Sequence, residues 1–288
     1  MAMGAADVVP GVSGGTIAFI SGIYEELLSS IRACTPLALV SLFRDGPRVF
    51  WQRINGTFLS VLFSGILFSI ATLAHLIVYL LEFQALLLWS FFFGLIVASI
   101  LFIWRQLVSK GPGEYMFFLL GLGLALASAF ATQVQLEPTP WLVFGAGMLA
   151  ICAMILPGVS GSFILLLLGM YSVVLGAVNA GDAPLLAIFA LGCGAGLVLF
   201  SHLLSWLLSR FHGATLALLT GFLAGSLAMV WPWRESDSGH GEGLNLLAPS
   251  QYAQMAGDAQ LPAALGLMTV GFILVLLLEY LGGRQARS

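Results

Sequence analysis

Charge is scarce in this sequence. Only 8% of its 288 residues are charged and 60% are hydrophobic, whereas an ordinary soluble domain carries about 25% charged residues. So thin a polar covering excludes a water-exposed globule, and most of the exterior has to face lipid. No basic cluster of useful size is present and the formal net charge is −3, which excludes nucleic acid as a partner. Cys34, Cys152 and Cys193 are scattered through apolar sequence and read as small buried hydrophobes rather than a disulfide framework. There is no phosphate-binding P-loop, so direct ATP use is excluded. Neither Ser13 nor Ser160 has a base and an orienting acid in its near sequence, so no catalytic set emerges and the chain does not read as an enzyme. Its histidines come without convergent cysteines or carboxylates, which argues against a metal, and no cofactor is implied. No basic leader precedes the first apolar stretch, which carries Asp7, so that stretch is expected to belong to the mature fold.

What the chain has in quantity is glycine, 34 residues of it, and a repeated break. Pro10-Gly11-Val12-Ser13-Gly14-Gly15-Thr16 returns 147 residues later as Pro157-Gly158-Val159-Ser160-Gly161-Ser162-Phe163. Each copy interrupts an apolar stretch with residues that stop a helix and free the backbone. Each is followed by an apolar run reaching Gly22-Ile23-Tyr24 or Gly169-Met170-Tyr171, and Thr16 to Ile31 is expected to be helical with Glu25 and Glu26 near its end. A second set of matches lies at an offset of 127: Gly65, His75, Gly94, Ser99 and Trp104 pair with Gly192, His202, Gly221, Ser226 and Trp231. The second half therefore lacks about 20 residues after its break. The missing counterpart is the Arg-rich connection 32–54, whose 37–43 run reads as a short interfacial helix.

Membrane spans are predicted at roughly 55–81, 86–104 and 115–132, then, after a broken stretch at 140–179, at 184–208, 214–232 and 261–281; each is long enough for a hydrocarbon core of about 30 Å. If each broken element returns to the side it started from, three spans per half turn the second half upside down. The inner connections then hold nine of the ten Lys and Arg residues, all but Arg234, as the positive-inside bias requires. The fold class is thus an all-α integral membrane protein. It has two inverted repeats, 1–135 and 136–288, each a re-entrant broken-helix hairpin followed by three transmembrane helices, and both termini are cytoplasmic. A re-entrant hairpin and a pair of full spans give the same charge count. The nine residues before Pro10, about 14 Å as helix, favour the hairpin. The 232–261 connection reads as a solvated loop in preference to a lid.

Irregular backbone at membrane depth has to line a polar cavity or be buried in protein. A helix starting near Gly14 offers free N–H groups and a positive dipole end, with Ser13, Gly15 and Thr16 adding donors; Ser160, Gly161 and Ser162 do the same in the second copy. Two such ends pointed at one place suit an oxyanion, and a phosphate best. The blander reading is that these small residues only let helices pack closely. Asp7, whose counterpart is Met154, costs about 3 kcal/mol at membrane depth unless paired or protonated. Asp7, His75 and His202 are the candidates for proton or sodium coupling or a polar relay; capping the broken segment and bonding between helices are the structural alternatives. Tyr24 and Tyr171 read as interfacial anchors before path-lining groups.

The stretch from Met3-Gly4-Ala5-Ala6-Asp7 through Pro10-Gly11-Val12-Ser13-Gly14-Gly15-Thr16 to Gly22-Ile23-Tyr24, with Leu156-Pro157-Gly158-Val159-Ser160-Gly161-Ser162, resembles the signature of a bacterial membrane family, formerly a domain of unknown function, associated with translocating undecaprenyl phosphate, the C55 lipid carrier of cell-wall synthesis. The resemblance covers essentially the whole chain, although only the first motif is specific. It implies return of the carrier from the outer to the inner leaflet of the plasma membrane, with membrane lipids around it and Asp7, Ser13, Gly14, Gly15, Thr16, Ser160, Gly161 and Ser162 as the family's motif positions. An ion-coupled transporter of a small anion is the main alternative, and a membrane lipid-phosphate phosphatase or transferase a weaker one.

Overall fold

The computed structural model describes residues 1–7, 13–34, 44–107, 110–131, 134, 136–234 and 245–285, with positions 74, 256 and 278–285 as backbone alone. Val8 to Val12, including Pro10 and Gly11, the 37–43 run, the Gly-rich part of the 232–261 connection and Arg287 lie outside the described residues.

The regular elements are helices. α1 (Ala2–Asp7), α2 (Gly14–Ile20) and α3 (Tyr24–Ala33) make the first broken element, and α4 (Pro47–Arg53) follows it. The long helices α5 (Gly56–Phe83), α6 (Ala85–Gln106) and α7 (Pro112–Ala129) come next. Then α8 (Pro140–Ile155), α9 (Gly161–Leu167) and α10 (Tyr171–Ala180) form the second broken element. α11 (Ala183–Arg210), α12 (His212–Ser226), α13 (Pro249–Ala256) and α14 (Leu261–Gln285) complete the chain. Among the described residues four helices, α5, α6, α7 and α11, are long and apolar enough to cross a membrane, and α9 and α10 form a pair bent by 104°. This is an all-α, multi-pass membrane fold with a broken-helix hairpin. The bounds of α2 and α3 recur in α9 and α10 at an offset of 147, and those of α5 in α11 at 127.

Sequence reading is corrected at one point in each copy. Thr16 to Ile31 is not one helix. It breaks at Gly22, whose φ of +74° suits glycine, and the Gly22 and Ile23 N–H groups donate back to the Phe19 and Ala18 carbonyls at 3.3 and 3.1 Å. Gly169, with φ +68°, repeats this: the Gly169 and Met170 N–H groups reach Leu166 and Leu165 at 3.0 and 2.9 Å. Both are Schellman ends, which satisfy the last carbonyls of a helix without further chain. Glu25 and Glu26 consequently open α3 rather than close a longer helix, where carboxylates favour the dipole.

The chain divides into two compact units that each take helices from both sequence halves. The first holds residues 1–74, 133–156 and 160–212, the second 75–132, 157–159 and 213–288. In the first, α8 and α11 pack closely because a side chain at Gly147, Gly192 or Gly196 would overlap a carbonyl of the facing helix, the small-residue packing of membrane helices. In the second, Gly94 and Gly271 do this for α6 and α14, and Gly121 and Gly221 for α7 and α12.

The second unit also corrects the reading of the 232–261 connection as an unconstrained loop. Buried indoles need acceptors: Trp231 Nε1 donates to the Leu247 carbonyl and Trp233 Nε1 to Ala259, both at 2.9 Å. Trp233 and Ala259 are buried with Leu86 and Ala264, and Tyr252 of α13 packs on them. Arg234, the exception to the charge bias, stacks 4.1 Å from the centre of the Trp89 ring and donates to the Met229 carbonyl. Burial pushes its guanidinium down to about 10, so it stays charged at neutral pH.

Candidate functional site

The first motif closes on itself. Ser13, in extended conformation, caps α2: its hydroxyl accepts from the Gly15 N–H at 3.1 Å and donates to the Met154 carbonyl at 2.8 Å. The Thr16 N–H donates to the Ser13 carbonyl at 2.9 Å. The remaining leading donor, Gly14 N–H, goes to Asp7 Oδ1 at 2.6 Å, a short charge-assisted bond. Three of the four orphan donors of a helix start are thereby taken. In this conformation the anion at the start of α2 is the chain's own carboxylate.

The second motif is arranged differently. Gly158, with φ +86°, turns against the Phe222 carbonyl. Ser160 occupies the cap position of α9, yet its side chain makes no cap bond; the hydroxyl instead pairs with that of Ser162 at 2.8 Å. Ser160 is buried and Ser162 is exposed. Where the first copy has Asp7 the second has Met154, and among the described residues no carboxylate is bonded to the Gly161 N–H.

Both motifs rest on the last turns of α8. A side chain on Gly15 would strike the Met154 and Ile155 carbonyls, and one on Gly161 would strike the Ala150 carbonyl and crowd Met154 Cβ. Ala150 and Met154 are one turn apart, about 6 Å along the axis. Tyr24 adds a tie: its hydroxyl donates to the Ile155 carbonyl at 3.1 Å. Tyr24 is 2% exposed, which overturns its reading as an interfacial anchor; a buried phenol goes to an unsatisfied helix-end carbonyl. Tyr171, its counterpart, is 41% exposed. The close-packing role of the motif glycines is therefore observed at Gly15 and Gly161, alongside whatever ligand role they have.

The remaining candidates lie on other helices. His202 is exposed on α11 and its Nδ1 donates to the Val198 carbonyl of its own helix at 2.8 Å. His75 is exposed on α5. Glu25 lies 3.5 Å from His212, both largely exposed, and Glu26 accepts from the Asn55 amide at 2.8 Å. The carbonyls of Met154 and Ile155, which accept from Ser13 and Tyr24, are the contacts that sequence reasoning passed over. The only hint of them was the Asp7-to-Met154 mismatch.

The model of the undecaprenyl phosphate translocase-like family matches residues 3–243. The chain belongs to that family. A polyprenyl-phosphate transporter of Vibrio cholerae serotype O1 is 48% identical over 288 aligned residues, covering 97% of this chain and 94% of that protein. A polyprenyl-phosphate transporter of Staphylococcus aureus is 33% identical over 249, covering 80% and 83%. No solved structure matches the chain. Against this translocase-like family, the motif residues stand out because they are among the few buried polar groups of the first unit, Ser13 at 2% exposed, Thr16 at 0% and Ser160 at 7%.

Proposed function

We propose that the protein carries undecaprenyl phosphate, or a closely related polyprenyl phosphate, across the bacterial plasma membrane, returning it from the outer to the inner leaflet. It acts as a transporter, without covalent chemistry. The observation that carries this reading is that the starts of α2 and α9, at Ser13-Gly15 and at Gly161, both lie against the last turns of α8, in a member of the translocase-like family. The phosphate binds first at Ser160, Gly161 and Ser162, where Met154 stands in the place of Asp7 and supplies no carboxylate in its stead. It engages Ser13 to Thr16 when Asp7 withdraws from Gly14. The polyprenyl tail stays out of water throughout, since exposing it would cost about 0.8 kcal/mol for each apolar carbon.

The architecture that suits this is two inverted repeats, 1–135 and 136–288, with a re-entrant hairpin and three spans in each and both termini cytoplasmic. The coincident helix bounds at the two offsets support it, as does the charge count, since this topology would gather nine of the ten Lys and Arg residues on one side. Asp7 is the coupling residue: a carboxylate and a phosphate cannot share the Gly14 N–H, and protonation resolves the competition. His75 and His202, exposed on their helices, are secondary candidates for relaying that proton.

The test is leaflet-resolved movement of undecaprenyl phosphate by the purified protein in liposomes. Transport by the wild type, reduced in Ser160→Ala/Ser162→Ala with an unchanged melting temperature, is expected. A wild type that moves no lipid phosphate would refute the reading.

A further inference from the structure

The first unit carries an open, largely apolar groove that the motifs do not use. It has a volume of about 490 Å³ and is lined by Ile23, Asn55, Thr57, Phe58, Val61 and Leu62. Its polar members are partly engaged elsewhere: the Asn55 amide N–H on Glu26, and the Thr57 hydroxyl as acceptor for Trp51 Nε1 at 3.1 Å. What remains for a ligand is almost wholly apolar. The floor is also fixed. Asn55 holds φ +51°, a left-handed conformation uncommon outside glycine, and the Trp51 ring lies so close over Gly56 that no side chain fits there. A groove held this firmly is unlike the ordinary undulation of a lipid-facing helix.

Its surroundings select the occupant. Arg53 ends α4 two residues before Asn55, and Arg48 and Arg44 lie just upstream. All three are exposed, and the ion pair among described residues involves none of them. At the other wall, Ile23 closes the Schellman turn of α2, so the groove begins one seven-residue helix, about 10 Å, from the Ser13 cap. A ligand matching both features has an apolar chain and an anionic head and passes beside the first motif.

We propose that this groove seats the head-proximal isoprene units of the transported polyprenyl phosphate at a stage when its phosphate is off both motifs and lies toward the α4 arginines. The inference rests on the transport reading above. It adds a specific tail site to a mechanism that otherwise leaves the tail in bulk lipid.

The experiment uses undecaprenyl phosphate carrying a diazirine on the isoprene nearest the phosphate, with the full-length protein in liposomes. Photolabel is expected on Ile23, Phe58, Val61 or Leu62, competed by unlabelled undecaprenyl phosphate and not by the same amount of phosphatidylglycerol. Equal competition by phosphatidylglycerol would mean surrounding lipid only and would overturn the site. In parallel, Val61→Trp fills the groove at a residue 69% exposed, so folding is little affected. It should raise the half-saturating undecaprenyl phosphate concentration about tenfold, equivalent to about 1.4 kcal/mol. Leu67→Trp, equally exposed on α5 at 66% but outside the groove, should leave it unchanged. Identical behaviour of the two tryptophan variants would sink the groove while leaving transport standing. A wild type that moves no polyprenyl phosphate would sink both.

Discussion

Asp7→Asn is the most informative single change, because it separates a clamp from a brace. The Gly14 N–H to Asp7 bond is 2.6 Å long. Hydrogen bonds to a charged partner contribute about 1.5–3 kcal/mol and neutral ones about 0.5–1.5. Asparagine keeps an acceptor of nearly the same shape, so the substitution should weaken the closed arrangement by about 1–1.5 kcal/mol, or about five- to tenfold in the equilibrium. If phosphate must displace Asp7 to reach α2, the fraction of competent protein rises by that factor, and the apparent affinity for undecaprenyl phosphate rises with it. The pH dependence has a definite sign. Protonating Asp7 removes the same charge, so wild-type affinity should increase as pH falls and approach that of Asp7→Asn, whose own affinity should be flat. Binding measured by tryptophan quenching across pH 5 to 8, with melting temperature recorded alongside, checks this. Weaker lipid binding by Asp7→Asn at every pH, together with a lowered melting temperature, would show that Asp7 only braces the break. Parallel pH profiles in the two proteins would remove it from coupling.

Two other outcomes are expected. Tyr24→Phe leaves the Ile155 carbonyl without its buried partner and should destabilise by about 1–3 kcal/mol, seen as a lower melting temperature, while the exposed Tyr171→Phe should have no such effect. Single cysteines at 82 and 182 should react with an impermeant maleimide from outside whole cells and one at 105 only after permeabilisation; the opposite pattern would reverse the orientation.

The long helices were legible because their only requirement is apolar length, and the two sequence offsets reappear in the bounds of α2, α3 and α5 against α9, α10 and α11. The second break in each copy was not. Gly22 and Gly169 sit in apolar runs where glycine is ordinary in a membrane helix, and nothing local distinguishes a packing glycine from one at φ +74°. The 232–261 connection misled for a related reason: its centre is polar and Gly-rich, but Trp231 and Trp233 act on residues 16 and 26 positions away. At the site, residue types pointed to donors for an oxyanion. They could not reveal that Asp7 already takes one, because that depends on how α1 is folded back on α2. Tyr24 was misjudged because tyrosine is enriched both at interfaces and against buried helix ends, and only the position of Ile155 decides between them.

The asymmetry between the copies can be tested by moving it. The two motifs share a backbone pattern and differ most consequentially at one position, Asp7 in the first and Met154 in the second. Met154 is 41% exposed and its side chain makes no bond on which the Ser13 contact depends, since Ser13 uses the backbone carbonyl. Met154→Asp should therefore fold, and by analogy with Asp7 its carboxylate should reach the Gly161 N–H at the start of α9. That would close the second motif with a charge-assisted bond of about 1.5–3 kcal/mol, lowering undecaprenyl phosphate affinity about tenfold or more at neutral pH and restoring it under acid. Combining Met154→Asp with Asp7→Asn exchanges which motif is self-capped, so a protein with pH dependence but altered affinity is expected. If Met154→Asp binds and transports like the wild type at every pH, the second motif is not where the phosphate is first held, and the division of labour between the copies is wrong.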